Sequence, residues 1–248
     1  MCGRYAITLP PEAYRALFDY VDQPNFPARY NVAPTQPVPI VYEEKGRRHF
    51  RLVRWGFLPS WTKDPKAFPL VINARGETLL EKPTFKAALT RRRCIFLADG
   101  FYEWRRTGSG KQPFLTRMKS RQPMPLAGLW ETYCDPDGGE IDTAAIVTTD
   151  ANGVMAAVHD RMPVILSPDD LKAWLDSDAT DAKGALRFVR PCPDEWLDMA
   201  PVSTRVNKVE NDDAGLLESA AELEIQASEP KRKAAKRKIE DDAQGQLF

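Results

Sequence analysis

Histidine and cysteine are scarce in this 248-residue chain, with two of the first and four of the second. The cysteines (Cys2, Cys94, Cys134 and Cys192) lie far apart and make no Cys-x-x-Cys pair, so the usual ligand set of a zinc site is missing. Net charge is missing too. The 35 basic residues balance 35 acidic ones, which argues against broad nonspecific duplex binding while leaving room for a local basic groove. No apolar run is long enough to cross a bilayer, and the first residues lack the basic start and apolar stretch of a signal peptide. The expectation is a cytoplasmic, monomeric protein with free thiols, no metal and no cofactor.

What is present fits one globular domain and a tail. Hydrophobic residues make up 43 % of the chain, ordinary for a packed domain. From about Asp213 the composition turns to charge blocks: acidic over 218–224, basic at Lys231-Arg232-Lys233 and Lys236-Arg237-Lys238, acidic again at Glu240-Asp241-Asp242. Such blocks stay solvated. The expected division is a domain over 2–212 and a disordered tail over 213–248.

Along the domain, Tyr14, Leu17, Phe18 and Val21 share one face of a helix over 11–21, with Pro11 in its first turn. A strand over 38–42 carries Pro37 and Pro39 at its start, which predicts an edge position. Further extended runs fall at 48–55, 70–74, 94–98, 101–104, 113–118, 126–133, 143–149 and 162–166. Helical signals fall at 77–90 and 151–158. Ser167-Pro168-Asp169-Asp170 reads as a capped helix start, running to about Asp176. Strands that follow one another without intervening helices predict an α+β fold with a largely antiparallel sheet.

The N-terminus offers distinctive chemistry. Loss of Met1 would make Cys2 the first residue, with an α-amine and a thiol on adjacent carbons. An α-amine titrates at about 7.7–8.0, against about 10.4 for lysine, so near neutral pH a useful fraction is nucleophilic. An aldehyde meeting this pair forms a Schiff base with the amine, and the thiol then closes a thiazolidine ring. The alternative is an ordinary, disordered start.

Other candidates stand near aromatic or apolar runs. Glu103, in Gly100-Phe101-Tyr102-Glu103-Trp104, is either an edge-strand carboxylate paired with Arg105 or Arg106, or a desolvated proton carrier. Asn73 either braces a loop or points into a site. His159 is either structural or a proton exchanger. Arg4, Arg75 and Arg161 each neighbour one of these and suit an anionic ligand such as phosphate. Trp55, Phe57 and Trp61 suit base stacking or core packing, the latter expected at least for Trp55.

Together, Met1-Cys2-Gly3-Arg4-Tyr5, Arg29-Tyr30-Asn31-Val32-Ala33-Pro34-Thr35, Trp55-Gly56-Phe57, Asn73-Ala74-Arg75-Gly76-Glu77-Thr78, Ala98-Asp99-Gly100-Phe101-Tyr102-Glu103-Trp104 and His159-Asp160-Arg161-Met162-Pro163 resemble the SOS-response-associated peptidase (SRAP) family. The resemblance spans roughly residues 2–212. It implies Cys2 at the floor of a cleft that binds single-stranded DNA and reacts with the aldehyde of abasic sites. It further implies Cys2, Asn73, Glu103 and His159 as active-site residues and Arg4, Arg75 and Arg161 near phosphates. A base-stacking loop around Trp55 and Trp61, self-removal of Met1 and a nucleoid-associated location follow from the same likeness. Two other readings compete: an N-terminal-nucleophile amidohydrolase like the class II glutamine amidotransferases, and a non-catalytic single-strand DNA adaptor. The end of the tail, Gln244-Gly245-Gln246-Leu247-Phe248, resembles the pentapeptide that docks on bacterial sliding clamps, with Gln244, Leu247 and Phe248 at its key positions.

Overall fold

The computed structural model describes residues 2–220 except Gln23, Ser109 and Pro136. The tail residues Gln244, Leu247 and Phe248 lie outside the described residues. The chain forms β1 (Tyr5–Ile7), α1 (Pro11–Phe18), β2 (Arg29–Val32), β3 (Pro37–Glu44), β4 (Arg47–Trp55), β5 (Asn73–Arg75), α2 (Pro83–Arg91), β6 (Arg93–Ala98) and β7 (Gly100–Thr107). It continues with β8 (Gly110–Met118), β9 (Met124–Cys134), β10 (Glu140–Asp150), α3 (Gly153–Ala156), β11 (Arg161–Pro163), α4 (Pro168–Leu175), α5 (Ala182–Ala185) and β12 (Leu197–Pro201).

Two sheets organise these elements into the expected α+β fold. One runs β12-β8-β7-β1-β2, and the other β11-β10-β4-β3-β6-β9. In the second sheet β9 also pairs with β10, so β10, β4, β3, β6 and β9 close into a ring. Closure removes the unpaired edges of an open sheet. It also explains why β3, β9 and β10 are buried on both faces over most of their length. All pairings in the ring are antiparallel except β10–β4.

The prolines of β3 mislead about its position. The strand is interior, between β4 and β6. Its pairing with β6 begins only at Ile40, so Pro37 and Pro39 lie where β4 is its one neighbour, and no ladder bond needs their missing N–H. The helix expected over 77–90 is split into a 3-10 turn at Gly76–Thr78 and α2, which starts with Pro83 in its first turn. The strand expected over 70–74 is shorter and later, at Asn73–Arg75. The Ser167 start holds: its side chain accepts the Asp170 N–H, and the helix ends at Leu175.

Strands β6 and β7 follow each other across Asp99 but belong to different sheets. Asp99 fastens the crossing. Its carboxylate accepts the Thr8 N–H at 2.8 Å and the Tyr14 hydroxyl at 3.0 Å, and also takes the Thr8 hydroxyl. This single side chain therefore ties β1 and α1 to the corner between the sheets.

Folded structure runs past the expected boundary at 212. Asp213 caps a 3-10 turn at Ala214–Leu217, Leu216 is fully buried against Tyr102 and Val206, and Ser219 bridges to Val202. Burial of Leu216 offsets the charge that the composition registers from Asp213 onward.

Candidate active site

Cys2 sits at the entrance of β1, in the seam between the sheets. Tyr5 pairs with Phe101 and Ala6 with Gly100, and the Tyr102 N–H donates to the Arg4 carbonyl at 2.9 Å. Extending this register by two residues sets Gly3 opposite Glu103. The Cys2 thiol, wholly buried, lies 3.9 Å from the Arg4 carbonyl. Burial raises its pKa first and the charge of Glu103 second, so the thiol is held protonated. Glu103 is itself buried, at 3 % exposure.

Asn73 reaches Cys2 from the barrel. It opens β5, which pairs with β10 through Ile146, and its Nδ2 donates to the Cys2 carbonyl at 3.0 Å. Asn73 Oδ1 is buried with no hydrogen-bond partner among the described residues. A buried acceptor left open beside a nucleophile is a place for a substrate or amine donor. His159 follows α3, where its own N–H donates to Met155 O at 2.9 Å. Its Nδ1 is met by the Arg161 N–H at 2.9 Å and by Asp160 Oδ1 at 2.8 Å, so the ring is held from that side. The fold thus brings Cys2, Asn73 and Glu103 together, and His159 shares a cavity of about 380 Å³ with Arg4 and Glu103. A second cavity of about 730 Å³ opens on the Asn73 side, lined by Arg75, Lys82 and the side chains of Leu70 and Phe85.

The three arginines differ in what they are doing. Arg75 is exposed in the second cavity. Arg4 Nη1 donates to Asn31 Oδ1 at 2.7 Å and to Val206 O at 2.8 Å, and the guanidinium lies 5.9 Å from the Trp104 ring centre. Arg161 is committed to carboxylates. It takes Glu77 with both terminal nitrogens, Asp150 at 2.7 Å and Thr148 O at 2.9 Å. Its hydrogen bonds hold the Glu77 carboxyl below the usual carboxylate range.

The tryptophans separate cleanly. Trp55 is fully buried, its Nε1 donates to Ile72 O at 3.0 Å, and Tyr5 meets its ring edge-on at 5.3 Å. No ring face is open there for a nucleobase, which corrects the pairing of Trp55 with Trp61 as stacking residues. A β-strand position flanked by two sheets claims the indole for the core. Trp61 is 57 % exposed and edge-on to Phe68. Gly56 makes the exit toward it. Its φ of +145° is open to glycine, and a Cβ there would meet Leu70 Cδ1 at 2.6 Å.

Reasoning from the sequence did not single out Asn31, which buries its amide on Val206 O, Lys208 O and Asn211 O while accepting Arg4. Its place inside the Arg29–Thr35 motif is the one signal that was available.

These features define an α+β domain built around a buried cysteine next to the chain start, flanked by an amide, a carboxylate and a histidine. The family described as SOS response associated peptidase (SRAP) matches residues 1–209, and the chain belongs to it. It is 35 % identical over 223 residues to the abasic site processing protein YoqW of Bacillus subtilis, covering 88 % of this chain and all of that one. It is 34 % identical to YedK of Escherichia coli, with 88 % and 99 % covered, and 32 % identical to HMCES of Xenopus tropicalis, with 97 % and 84 % covered; both also carry the name abasic site processing protein. A crystal structure of a Bacteroides thetaiotaomicron protein shares the fold, with a TM-score of 0.81 at 23 % identity, over 88 % of this chain and all of that one.

Proposed function

We propose that this protein processes abasic sites in single-stranded DNA by linking them covalently to Cys2. The observation that carries the reading is the placement of Cys2 between Asn73 and Glu103, at the meeting of two cavities lined by basic residues. The relatives named for abasic-site processing support the same substrate.

The chemistry follows in balanced steps. Hydrolysis of the Met1–Cys2 peptide bond consumes one water and frees the Cys2 α-amine, an autopeptidase step in which Cys2 is its own substrate. The amine adds to the aldehyde carbon of the ring-opened sugar, giving a carbinolamine. Loss of water yields the imine, and the thiol adds across its C=N bond to close the thiazolidine, its proton passing to the nitrogen. Glu103 carries protons between amine, carbinolamine and water, His159 protonates the sugar ring oxygen as the ring opens, and Asn73 holds the amine end of Cys2. A protonated, buried thiol suits this order, in which the amine attacks first. It does not suit an amidohydrolase, where the thiol must strike the substrate carbonyl itself.

Denaturing electrophoresis after incubation with abasic single-stranded DNA tests the reading. A slow-migrating adduct is expected without any reductant, together with no release of ammonia from glutamine. Ammonia release without an adduct points to the amidohydrolase, and equal capture of intact and abasic strands points to an adaptor.

The tail extends the proposal. We infer that Gln244, Leu247 and Phe248 dock on the sliding clamp and bring the domain to replicating DNA. Burial of the two apolar side chains supplies roughly 1.5–3 kcal/mol each, offset by ordering the peptide. A labelled tail peptide titrated with purified clamp should bind, and a Leu247→Ala, Phe248→Ala peptide should not; equal binding by both removes the clamp role.

A further inference from the structure

The β7–β8 hairpin carries a feature that the site chemistry does not use. Arg106 and Lys111 stand directly opposite each other across the two strands. Both are exposed, and both line the cavity that holds Arg4, Glu103 and His159. Like charges directly opposite in an antiparallel pair destabilise it. Neither residue has an ion pair or a side-chain hydrogen bond among the described residues to relieve that cost. The neighbouring Arg105 is spent otherwise, its guanidinium packed 4.7 Å from the Phe114 ring centre. Glu103, the carboxylate of the same cavity, falls on the other strand face from Arg106 by alternation. On Arg106's own face is Trp104, half-buried and fixed by Nε1 donating to Asn207 Oδ1 at 2.7 Å.

A chain with zero formal charge thus concentrates uncompensated cations at one mouth of its reactive cavity. We propose that Arg106 and Lys111 clamp a backbone phosphodiester of the nucleic-acid strand on one side of the nucleotide held at Cys2. The planar fork of arginine and the point charge of lysine suit the two free oxygens of one such group. Contacts of this kind position a strand without reading its sequence, as a protein that answers to a missing base requires. The inference rests on the nucleic-acid reading above. It adds that one flank of the strand leaves the cavity along the β7–β8 hairpin, away from the mouth that Arg75 and Lys82 line.

The test uses the full chain and an oligonucleotide with a tetrahydrofuran abasic analogue, which binds without reacting. Fluorescence anisotropy across a salt series gives the slope of log affinity against log salt. Arg106→Gln, Lys111→Gln should weaken binding and flatten that slope by about 1.4, at roughly 0.7 for each of two charge contacts on a single strand. Its Tm should equal or exceed that of wild type, because the like-charge pair is gone. Methylphosphonate scanning should then find a linkage on one flank only whose neutralisation weakens wild type but leaves the double variant unchanged. An unaltered slope, or losses that add at every linkage, would overturn the clamp. Wild-type crosslinking reports separately on the parent reading. If wild type neither binds nor crosslinks, the nucleic-acid function falls; if it does both and the double variant matches it, only the clamp falls.

Discussion

At the scale of single residues, the account rests on groups removed from water beside a reactive centre. Glu103, at 3 % exposure, and His159, held through Nδ1, are assigned proton transfer. Glu103→Gln and His159→Ala should each slow adduct formation at saturating DNA by roughly 10²- to 10⁴-fold, with smaller effects on equilibrium binding. Single-turnover electrophoresis beside anisotropy separates the two quantities. A Glu103→Gln protein that lost affinity alone would refute the assignment. The reverse pattern is expected for Arg75→Gln, which should weaken binding and flatten its salt dependence without the same loss at saturation. The residue types were legible in the sequence because few side chains do this chemistry. Their engagements were not. Alternation along a strand cannot show that Arg161 is already shared by Glu77 and Asp150, or that Trp55 is walled in by Tyr5 and Ile72.

At the scale of elements, the chain start is positioned by distant segments. Asn31 on β2 binds three carbonyls of the segment after β12 and also accepts Arg4, so the 206–211 segment reaches the residue two places from Cys2. Asp212 continues the clasp by accepting the Asn31 N–H at 3.0 Å. Asn31→Ala strands those carbonyls and a buried Arg4 donor, and should cost about 3 kcal/mol, judged by the penalty for unpaired buried groups. Denaturant unfolding measures it, and a cost below about 0.5 kcal/mol would show that the clasp carries no load. Ser167→Ala, which removes only the cap of α4, should cost about 1 kcal/mol in the same assay. Caps, first-turn prolines and alternating strands were readable in advance because their causes are local. The interior position of β3 was not, since Pro37 and Pro39 signal an edge that exists only at the strand's first residues. The end of the domain was hidden as well, because one buried leucine, Leu216, outweighs the charges around it.

At the scale of the whole molecule, ring closure and the joined sheets bury phenols and thiols together. Tyr5, Tyr14 and Tyr102 have their pKa values raised, each chiefly by burial, and Tyr20 is pushed up to about 12. Burial raises the Cys94 thiol in the same sense. The native state therefore holds these protons more tightly than the unfolded chain does. Their contribution is fully present below the ordinary values of about 8.5 for thiols and about 10 for tyrosine, and it is lost as pH climbs toward the raised values. Stability should decline above about pH 9, and the phenolate absorbance of the buried tyrosines should appear only with unfolding. Phenolates forming near pH 10 in a still-folded protein would contradict this packing. Fold class was legible from strand succession. The ring closure was not, because the β9–β10 and β10–β4 pairings join segments whose patterns carry no record of their partners.

The central claim is that the chain's own aminothiol captures the abasic sugar. Mass spectrometry of the proteolysed adduct tests it most directly. The account predicts a peptide that begins at Cys2, has lost Met1, and carries the sugar with the loss of one water, surviving without reductant and absent from Cys2→Ala. A sugar found on a lysine, or a stable adduct on a chain that still retains Met1, would contradict it.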